Sequence, residues 1–284
     1  MDAIPGTDRP DIVEDIKDLG ATAIFACKAD PRFHYCLYVP PVVGKGTKVE
    51  LLVAVHGSSR TSFLEFRDGF AAFGRWNNVA VLCPVFPIGV RGDDARNGYK
   101  YMLEGDIRYD QVMLAMIAEV AAKYGQDWSE FAMFGFSGGG HFTHRFAILH
   151  PHKLWAASIG SPGSVTLLDP ERDWWVGVRN LKEVFGISFD AAALAQVPVQ
   201  MLVGDADLET WEITHTPGST YWMEGANNAG RTRPERLRAL QASFEKAGVK
   251  VRFDVMHGVS HDRMKAVPRV QDFLATVLAA RRGG

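Results

Sequence analysis

A serine flanked by glycines is the residue most suited to chemistry in this sequence. Gly135-Phe136-Ser137-Gly138-Gly139 matches the pattern G-x-S-x-G and directly follows an apolar run. A serine at a sharp strand-to-helix turn needs small neighbours, because the chains approach too closely for a Cβ. The turn exposes the hydroxyl beside amides that favour a developing negative charge. We therefore predict that Ser137 is a nucleophile. A phosphate-binding loop is the alternative, but the sequence here contains neither Gly-Lys-Ser/Thr nor a dinucleotide fingerprint.

The nucleophile needs a base, and the base needs a carboxylate to fix its tautomer. Gly204-Asp205-Ala206-Asp207 follows the apolar run Val199 to Val203. We favour Asp207, because a turn after Gly204 lets the later residue fold back over the sheet. Asp205 stays as the alternative. A calcium loop is disfavoured, since Thr210 stands where such a loop requires glycine.

Two histidines follow the last apolar run, Val251 to Val255. We predict His261 as the base, because it lies beyond the flexible Gly258 and can bend back toward the serine. His257 is nearer the strand and is expected to be packed. The chain order Ser, Asp, His, each after its own strand, supports this choice. A metal site on the two histidines would need a helical face, which Gly258 disfavours.

The negative charge formed during acyl transfer needs backbone donors. The run Val49 to Val55 leads into His56-Gly57-Ser58-Ser59-Arg60, where the glycine allows a turn that exposes amides. We predict that the amides of Ser58 and Gly138 form an oxyanion hole. An ordinary strand-to-loop turn is the alternative.

Several basic and aromatic residues are expected near the cleft. Four arginines are expected to border the cleft, which favours an acidic or carboxylate-bearing substrate. The alternative for each arginine taken singly is that it is a solvated surface residue. The four arginines are Arg60, Arg91, Arg96 and Arg145. The candidates for substrate binding are Arg60, His141, Trp174 and Trp175. The alternative for His141 is a packed residue or a residue at the rim of the cleft.

The elements that position these residues alternate along the chain. Two β-type runs, 21–28 and 33–39, predict an antiparallel hairpin. Six short apolar runs follow, separated by segments of helical length. Three of those segments, near 113–124, 237–247 and 267–278, carry an apolar helical stripe. The pattern predicts an open three-layer α/β sandwich with a mostly parallel sheet of eight strands.

One segment interrupts the alternation. We expect one domain, 1–284, in which residues 161–196 form an insertion after the sixth strand. Strand ends in such sheets border the ligand crevice. The insertion, with Trp174 and Trp175, is therefore either a small satellite core under a long loop or a lid or dimer contact.

Composition excludes several classes of protein. The 284 residues carry a net charge of −2, so no global field favours nucleic acid or an anionic membrane. No apolar stretch approaches the roughly 20 residues that span a bilayer. The start, Met1 to Asp11, lacks the features of a signal peptide. The three cysteines are expected to be reduced. We expect a cytoplasmic protein.

These residues together resemble the α/β-hydrolase superfamily from the His56-Gly57 turn to His261. The finer pattern is similar to intracellular esterases related to polyhydroxybutyrate depolymerases and to feruloyl and acetyl xylan esterases. The resemblance implies a triad of Ser137, Asp207 and His261, an oxyanion hole at Ser58 and Gly138, and no cofactor. Secreted depolymerases usually carry a signal peptide and disulfides, which this sequence lacks, so an extracellular polymer is not the expected substrate.

The resulting hypothesis is a serine hydrolase that cleaves carboxylic esters through an acyl-enzyme, on a substrate that is acidic or of polyester type. An amidase or peptidase with the same triad is one alternative. A non-catalytic binding protein on the same fold is another, as is C–C bond or peroxide chemistry. A homodimer is left open.

Overall fold

A nine-stranded, mostly parallel sheet forms the centre of the molecule. The computed structural model describes residues 18–283, so the expectation of no signal peptide falls outside the described residues. The strands are β1 (Gly20–Ala21), β2 (Phe25–Ala26), β3 (His34–Val39), β4 (Glu50–Val55), β5 (Val79–Val85), β6 (Leu103–Glu104), β7 (Ile107–Arg108), β8 (Phe131–Phe136), β9 (Leu154–Gly160), β10 (Val199–Gly204) and β11 (Val251–Met256). The sheet has the order β1-β3-β5-β4-β8-β9-β10-β11, with β2 also paired to β3, while β6 and β7 form a separate hairpin.

Six consecutive strands of that order, β5 to β11, run parallel, and β1, β2 and β3 are antiparallel at one edge. The predicted opening hairpin and mostly parallel sheet are thus confirmed. The predicted first strand is divided into β1 and β2, which raises the count from eight to nine. Between them the amide of Leu37 donates to the hydroxyl of Thr22 instead of a backbone carbonyl, 2.9 Å away, which interrupts the ladder.

Helices cover both faces of the sheet. They are α1 (Ser62–Asn77), α2 (Gly98–Tyr101), α3 (Tyr109–Tyr124), α4 (Gly138–Leu149), α5 (Leu181–Phe185), α6 (Ala191–Ala195), α7 (Arg233–Lys246) and α8 (Arg263–Arg281). The apolar sides of α1 and α8 share one core, and those of α3, α4 and α7 share the core on the other face. The three predicted apolar stripes lie on α3, α7 and α8 and are largely buried. Burial of both faces explains why the parallel strands are almost continuously apolar.

The segment 161–196 is packed against the rest of the chain. Residues 161–166 are buried, and Trp175 lies in a small apolar cluster with Tyr101, Val176 and Ala226. That cluster is the satellite core which was one interpretation of the two tryptophans. A lid role for this segment within a single domain stays a prediction.

The three cysteines are free and buried, as expected. Over residues 18–283 no helix is both long enough and apolar enough to cross a lipid bilayer.

Candidate active site

Ser137 occupies a strained turn between β8 and α4. Its backbone has φ 58° and ψ −116°, in the left-handed half of the map that a serine rarely adopts. The turn is held because the Ser137 amide donates to the carbonyl of Gly160 at 2.8 Å. A Cβ on Gly139 would overlap the Val55 carbonyl, and one on Gly140 would overlap the Gly160 carbonyl. The glycines therefore let the helix start directly against the strand ends.

A buried carboxylate and an imidazole form a close pair after β10 and β11. The Nδ1 of His261 lies 2.6 Å from Oδ2 of Asp207, whose side chain is fully buried. Arg233 donates to the other carboxylate oxygen at 3.0 Å. Burial alone would raise the pKa of Asp207, but the hydrogen bond from His261 and the charge of Arg233 hold that pKa below its usual value. The carboxylate therefore stays ionised and fixes the imidazole.

Gly204 at the end of β10 explains how the pair forms. A Cβ there would overlap the carbonyl of Val259, so the loop after β11 crosses directly over this strand end. The Ala206 amide donates to the same carbonyl at 3.1 Å. This crossing brings His261 over Asp207, although the two residues are far apart in sequence.

The alternative residues form a second pair on the surface. His257 Nδ1 lies 2.9 Å from Asp205 Oδ2, and the Gly258 amide donates to Asp205 Oδ1 at 2.7 Å. The His257 side chain is 87% exposed, so the expectation that it is packed is wrong. A positive φ of 69° at Gly258 turns the chain immediately after this edge strand and leaves the imidazole in solvent.

A cavity of about 650 Å³ opens beside the nucleophile and contains the imidazole of His261 in its wall. Asp207 lies behind that imidazole. Within the part of the chain that the structure describes, the Ser137 hydroxyl makes no hydrogen bond to His261. Ser137 and His261 thus share one cavity, and a catalytic hydrogen bond that is long or unformed is common in unliganded sites.

The turns that carry the amides of Ser58 and Gly138 lie close together beside the serine. A Cβ on Gly138 would lie 3.1 Å from the nitrogen of Ser58, which shows how closely the two turns approach. The Gly57 amide donates a hydrogen bond to the hydroxyl of Ser62 at 3.0 Å, so it is not free for a ligand. Among residues 18–283, the amides of Ser58 and Gly138 donate to no other group. Both are therefore available to a ligand.

His56 and Arg60 shape the turn that presents Ser58. Buried His56 accepts from the Phe86 amide at 3.0 Å, and burial lowers its pKa to about 3, so it is neutral. Arg60 donates to the carbonyls of Ser58, Phe86 and Arg96 at 2.5, 3.0 and 2.6 Å. Its donors face protein carbonyls and it is absent from the cavity wall. The assignment of Arg60 to substrate is corrected to a positioning role.

The tryptophans also lie behind the wall rather than in it. Trp174 donates to the carbonyl of Tyr101 and Trp175 to that of Tyr221, each at 3.0 Å. Neither lines the cavity, so their assignment to substrate is corrected as well. Each indole ring instead supports a tyrosine that lines the cavity.

His141 lines the cavity, but it also holds the loop after β9. Its Nε2 accepts from the amides of Gly163 and Ser164 at 2.8 and 3.2 Å. Burial and the charge of Arg145 lower its pKa well below the usual value. A neutral, hydrogen-bonded ring fits the packing or rim role that was its alternative.

Much of the wall was not anticipated from the sequence. Lys100 and Tyr101 come from α2, next to Arg96, which was expected near the cleft, and residues 211–215 and 219–221 form another part of the wall. Of the segment 161–196, only Gly163 lines the cavity. The sequence signal for this part of the wall is Trp211, a large aromatic residue in the connection between β10 and α7, which has neither helical nor strand periodicity. Within residues 18–283 the His, Cys, Asp and Glu side chains form no group of three suited to a metal ion.

The similarity of this chain to known proteins lies in its structure rather than in its sequence. No protein-family model matches the sequence, and no curated protein is similar to it in sequence. Structures do match. A poly(aspartic acid) hydrolase from Sphingomonas sp. KT-1 superposes with a TM-score of 0.71 at 21% identity, covering 89% of this chain and 97% of that one. The chain has the α/β-hydrolase fold.

Two further structures with this fold agree. A poly(3-hydroxybutyrate) depolymerase from Bordetella parapertussis gives a TM-score of 0.67 at 21% identity, covering 87% of each chain. An S-formylglutathione hydrolase from Agrobacterium tumefaciens gives 0.58 at 17% identity, covering 87% of this chain and 89% of that one. In the α/β-hydrolase fold the nucleophile follows a central strand, and the acid and base follow later strands. Ser137, Asp207 and His261 stand at those places.

Proposed function

We propose that this protein is a serine hydrolase that cleaves carboxylic esters through an acyl-enzyme intermediate. The observation that carries the proposal is the buried Asp207–His261 pair, whose imidazole faces the same cavity as the strained Ser137. A surface pair of the same composition, Asp205 and His257, lies away from that cavity. Burial, strain and a shared cavity together favour catalysis over packing.

The first step is attack by Ser137 on the ester carbonyl. His261 Nε2 takes the hydroxyl proton as the Oγ–C bond forms, and the carbonyl π electrons move to its oxygen. Asp207 accepts a hydrogen bond from Nδ1, so the proton on that nitrogen leaves Nε2 free to act as the base. The charge on Asp207 then stabilises the imidazolium.

The oxyanion of the tetrahedral intermediate accepts hydrogen bonds from the free amides of Ser58 and Gly138. Each donor of this kind commonly lowers the barrier by about 3 kcal/mol. Collapse of the tetrahedral intermediate expels the alcohol, which receives the proton from His261. Water, activated by the same imidazole, then attacks the acyl-enzyme and releases the acid.

Amide hydrolysis is the second candidate, since one structural neighbour hydrolyses poly(aspartic acid), whose units are joined by amide bonds. The same groups serve both reactions, which differ mainly in protonation of the leaving nitrogen. Ester cleavage is favoured because an alkoxide leaves more readily than an amide anion and therefore depends less on protonation of the leaving group. A panel of matched 4-nitrophenyl esters and 4-nitroanilides separates the two candidates.

Substitution of the nucleophile tests the proposal. Ser137→Ala should lower kcat for 4-nitrophenyl hexanoate by roughly 10⁴-fold or more, because it removes the hydroxyl that forms the acyl-enzyme. Ser129→Ala changes an exposed serine away from the cavity and should match the wild type. Wild-type turnover by a folded Ser137→Ala variant would reject the proposal.

A further inference from the structure

The ammonium group of Lys100 lies in the wall beside the nucleophile without an acidic partner. Lys100 lines the cavity, and a Cβ on Gly138 would lie 3.2 Å from its Cε. Among residues 18–283, no carboxylate approaches its Nζ within 4.0 Å. A partly buried cation without a partner is costly, which is why such groups usually bind a counter-charge.

Three buried guanidinium groups surround the same cavity. Arg60, Arg145 and Arg236 donate to the carbonyls of the lining residues Ser58, Lys100 and Ile213, respectively. None of the three forms an ion pair within the described ranges of the chain. Burial lowers the pKa of Arg145 and Arg236 to about 10, so both stay charged at neutral pH. The wall therefore carries positive charge that no ion pair neutralises, with Glu104, beyond ion-pair distance, as the carboxylate that acts on Arg60.

Two acidic groups beside the cavity are already engaged. Asp207 pairs with His261 and Arg233, and Glu212 pairs with Arg233 at 2.8 Å. Burial and the positive charges of Arg60 and Arg145 lower the pKa of Lys100 to about 8, although Glu212 acts in the opposite direction. Lys100 is therefore cationic at neutral pH and is repelled by the groups around it. A bound anion would relieve that repulsion.

We propose that the substrate of this hydrolase carries a carboxylate, which Lys100 binds while the scissile carbonyl lies at Ser137. This inference rests on the proposed function and narrows its substrate to a class. The donors of the three buried guanidinium groups are held by carbonyl and side-chain oxygens, which leaves the ammonium of Lys100 as a free donor beside the nucleophile. One ammonium matches one negative charge, which favours a carboxylate over a dianionic phosphate. Exposed Arg96 at the rim adds to the attraction.

The test compares esters that differ only in charge. In the first pair, mono-(4-nitrophenyl) adipate carries a carboxylate on its acyl group, and 4-nitrophenyl hexanoate is the neutral ester of the same acyl length. In the second pair, 4-carboxyphenyl hexanoate carries the carboxylate on its alcohol group, and phenyl hexanoate is the neutral ester. The readout is the ratio of kcat/KM for the anionic ester to that for the neutral one. In at least one pair, Lys100→Met should lower this ratio roughly tenfold, the scale of one charge-assisted hydrogen bond.

Lys182→Met, which changes an exposed lysine on α5, is the matched control and should keep the wild-type ratio. The inference is overturned if Lys100→Met keeps both ratios, or if Lys182→Met lowers them equally. If Lys100→Met does not fold, the test uses the wild type. Its ratio should decrease as NaCl is raised from about 0.05 to 0.5 M, because salt screens the attraction. A ratio that stays constant overturns the inference. Wild-type turnover of both esters by Ser137→Ala would instead reject the proposed function.

Discussion

At the scale of single residues, the two Asp–His pairs differ in burial rather than in hydrogen-bond geometry. The distances are 2.6 Å for Asp207–His261 and 2.9 Å for Asp205–His257, but only the first aspartate is fully buried. A buried carboxylate is not screened by water, so it orients and stabilises an imidazolium more strongly than an exposed one. The buried pair is therefore expected to matter for catalysis and the exposed pair not to.

Asp207→Asn tests this difference. The amide cannot stabilise the imidazolium and favours the wrong tautomer, so kcat should fall by about 10⁴-fold. Arg233 would also lose its buried partner, which should lower Tm. Ester kinetics and thermal unfolding measure both effects.

The matched control is Asp205→Asn, which breaks the exposed pair and should leave kcat unchanged. A large loss of kcat in Asp205→Asn, with Asp207→Asn active, would exchange the roles of the two pairs.

At the scale of elements, the turn after β4 depends on Arg60 for its shape. One guanidinium joins three backbone carbonyls from separate segments. Arg60→Met should release the Ser58 turn and misplace one oxyanion donor. Because displacement by about 1 Å can cost 10²-fold, kcat should fall by roughly that factor for neutral and anionic esters alike. A loss confined to KM for anionic esters would instead restore Arg60 as a substrate-binding residue.

Asp110 ties the start of α3 to the end of α4. Its fully buried carboxylate pairs with Arg108 and His150, each at 2.8 Å. Burial alone would raise the pKa of Asp110, but these two partners hold it well below the usual 3.8. Its stabilising effect is therefore present above about pH 4 and is lost as the pH falls further.

Asp110→Asn should lower the free energy of unfolding by about 3 kcal/mol at neutral pH, since it leaves Arg108 without its buried partner. The difference from the wild type should shrink below pH 4. Urea unfolding at several pH values measures it. Asp173→Asn, at an exposed ion pair with Arg179, is the control and should unfold like the wild type. A difference that persists at low pH would contradict the assigned role.

The elements that could be predicted are those with local signals. The elbow at Ser137 and the strands before Asp207 and His261 were readable, because glycine spacing and apolar periodicity reflect local geometry. The role of Arg60 was not, since its partners Phe86 and Arg96 reach it only in the folded chain. The wall at 211–221 has no periodicity, and its position depends on contacts such as Arg236 with the carbonyl of Ile213.

At the scale of the whole molecule, net charge and local charge differ. The chain carries a formal charge of −2, yet Lys100, Arg60, Arg145 and Arg236 surround the cavity without acidic partners within the described residues. Composition could therefore exclude a global attraction to nucleic acid, but it could not reveal the field inside the site. The sequence did suggest an acidic substrate from nearby arginines, whereas the structure directs that hypothesis to Lys100.

The fold brings Ser137 and His261 from two strand ends to one cavity, with Asp207 behind the imidazole. The central claim is that this serine is an activated nucleophile. The most direct measurement is labelling with a fluorophosphonate, followed by intact-protein and peptide mass spectrometry. We predict one phosphonyl group per chain, located on Ser137, with labelling strongly slowed in a folded His261→Ala variant. Labelling at another residue, or none in the folded wild-type protein, would contradict the claim.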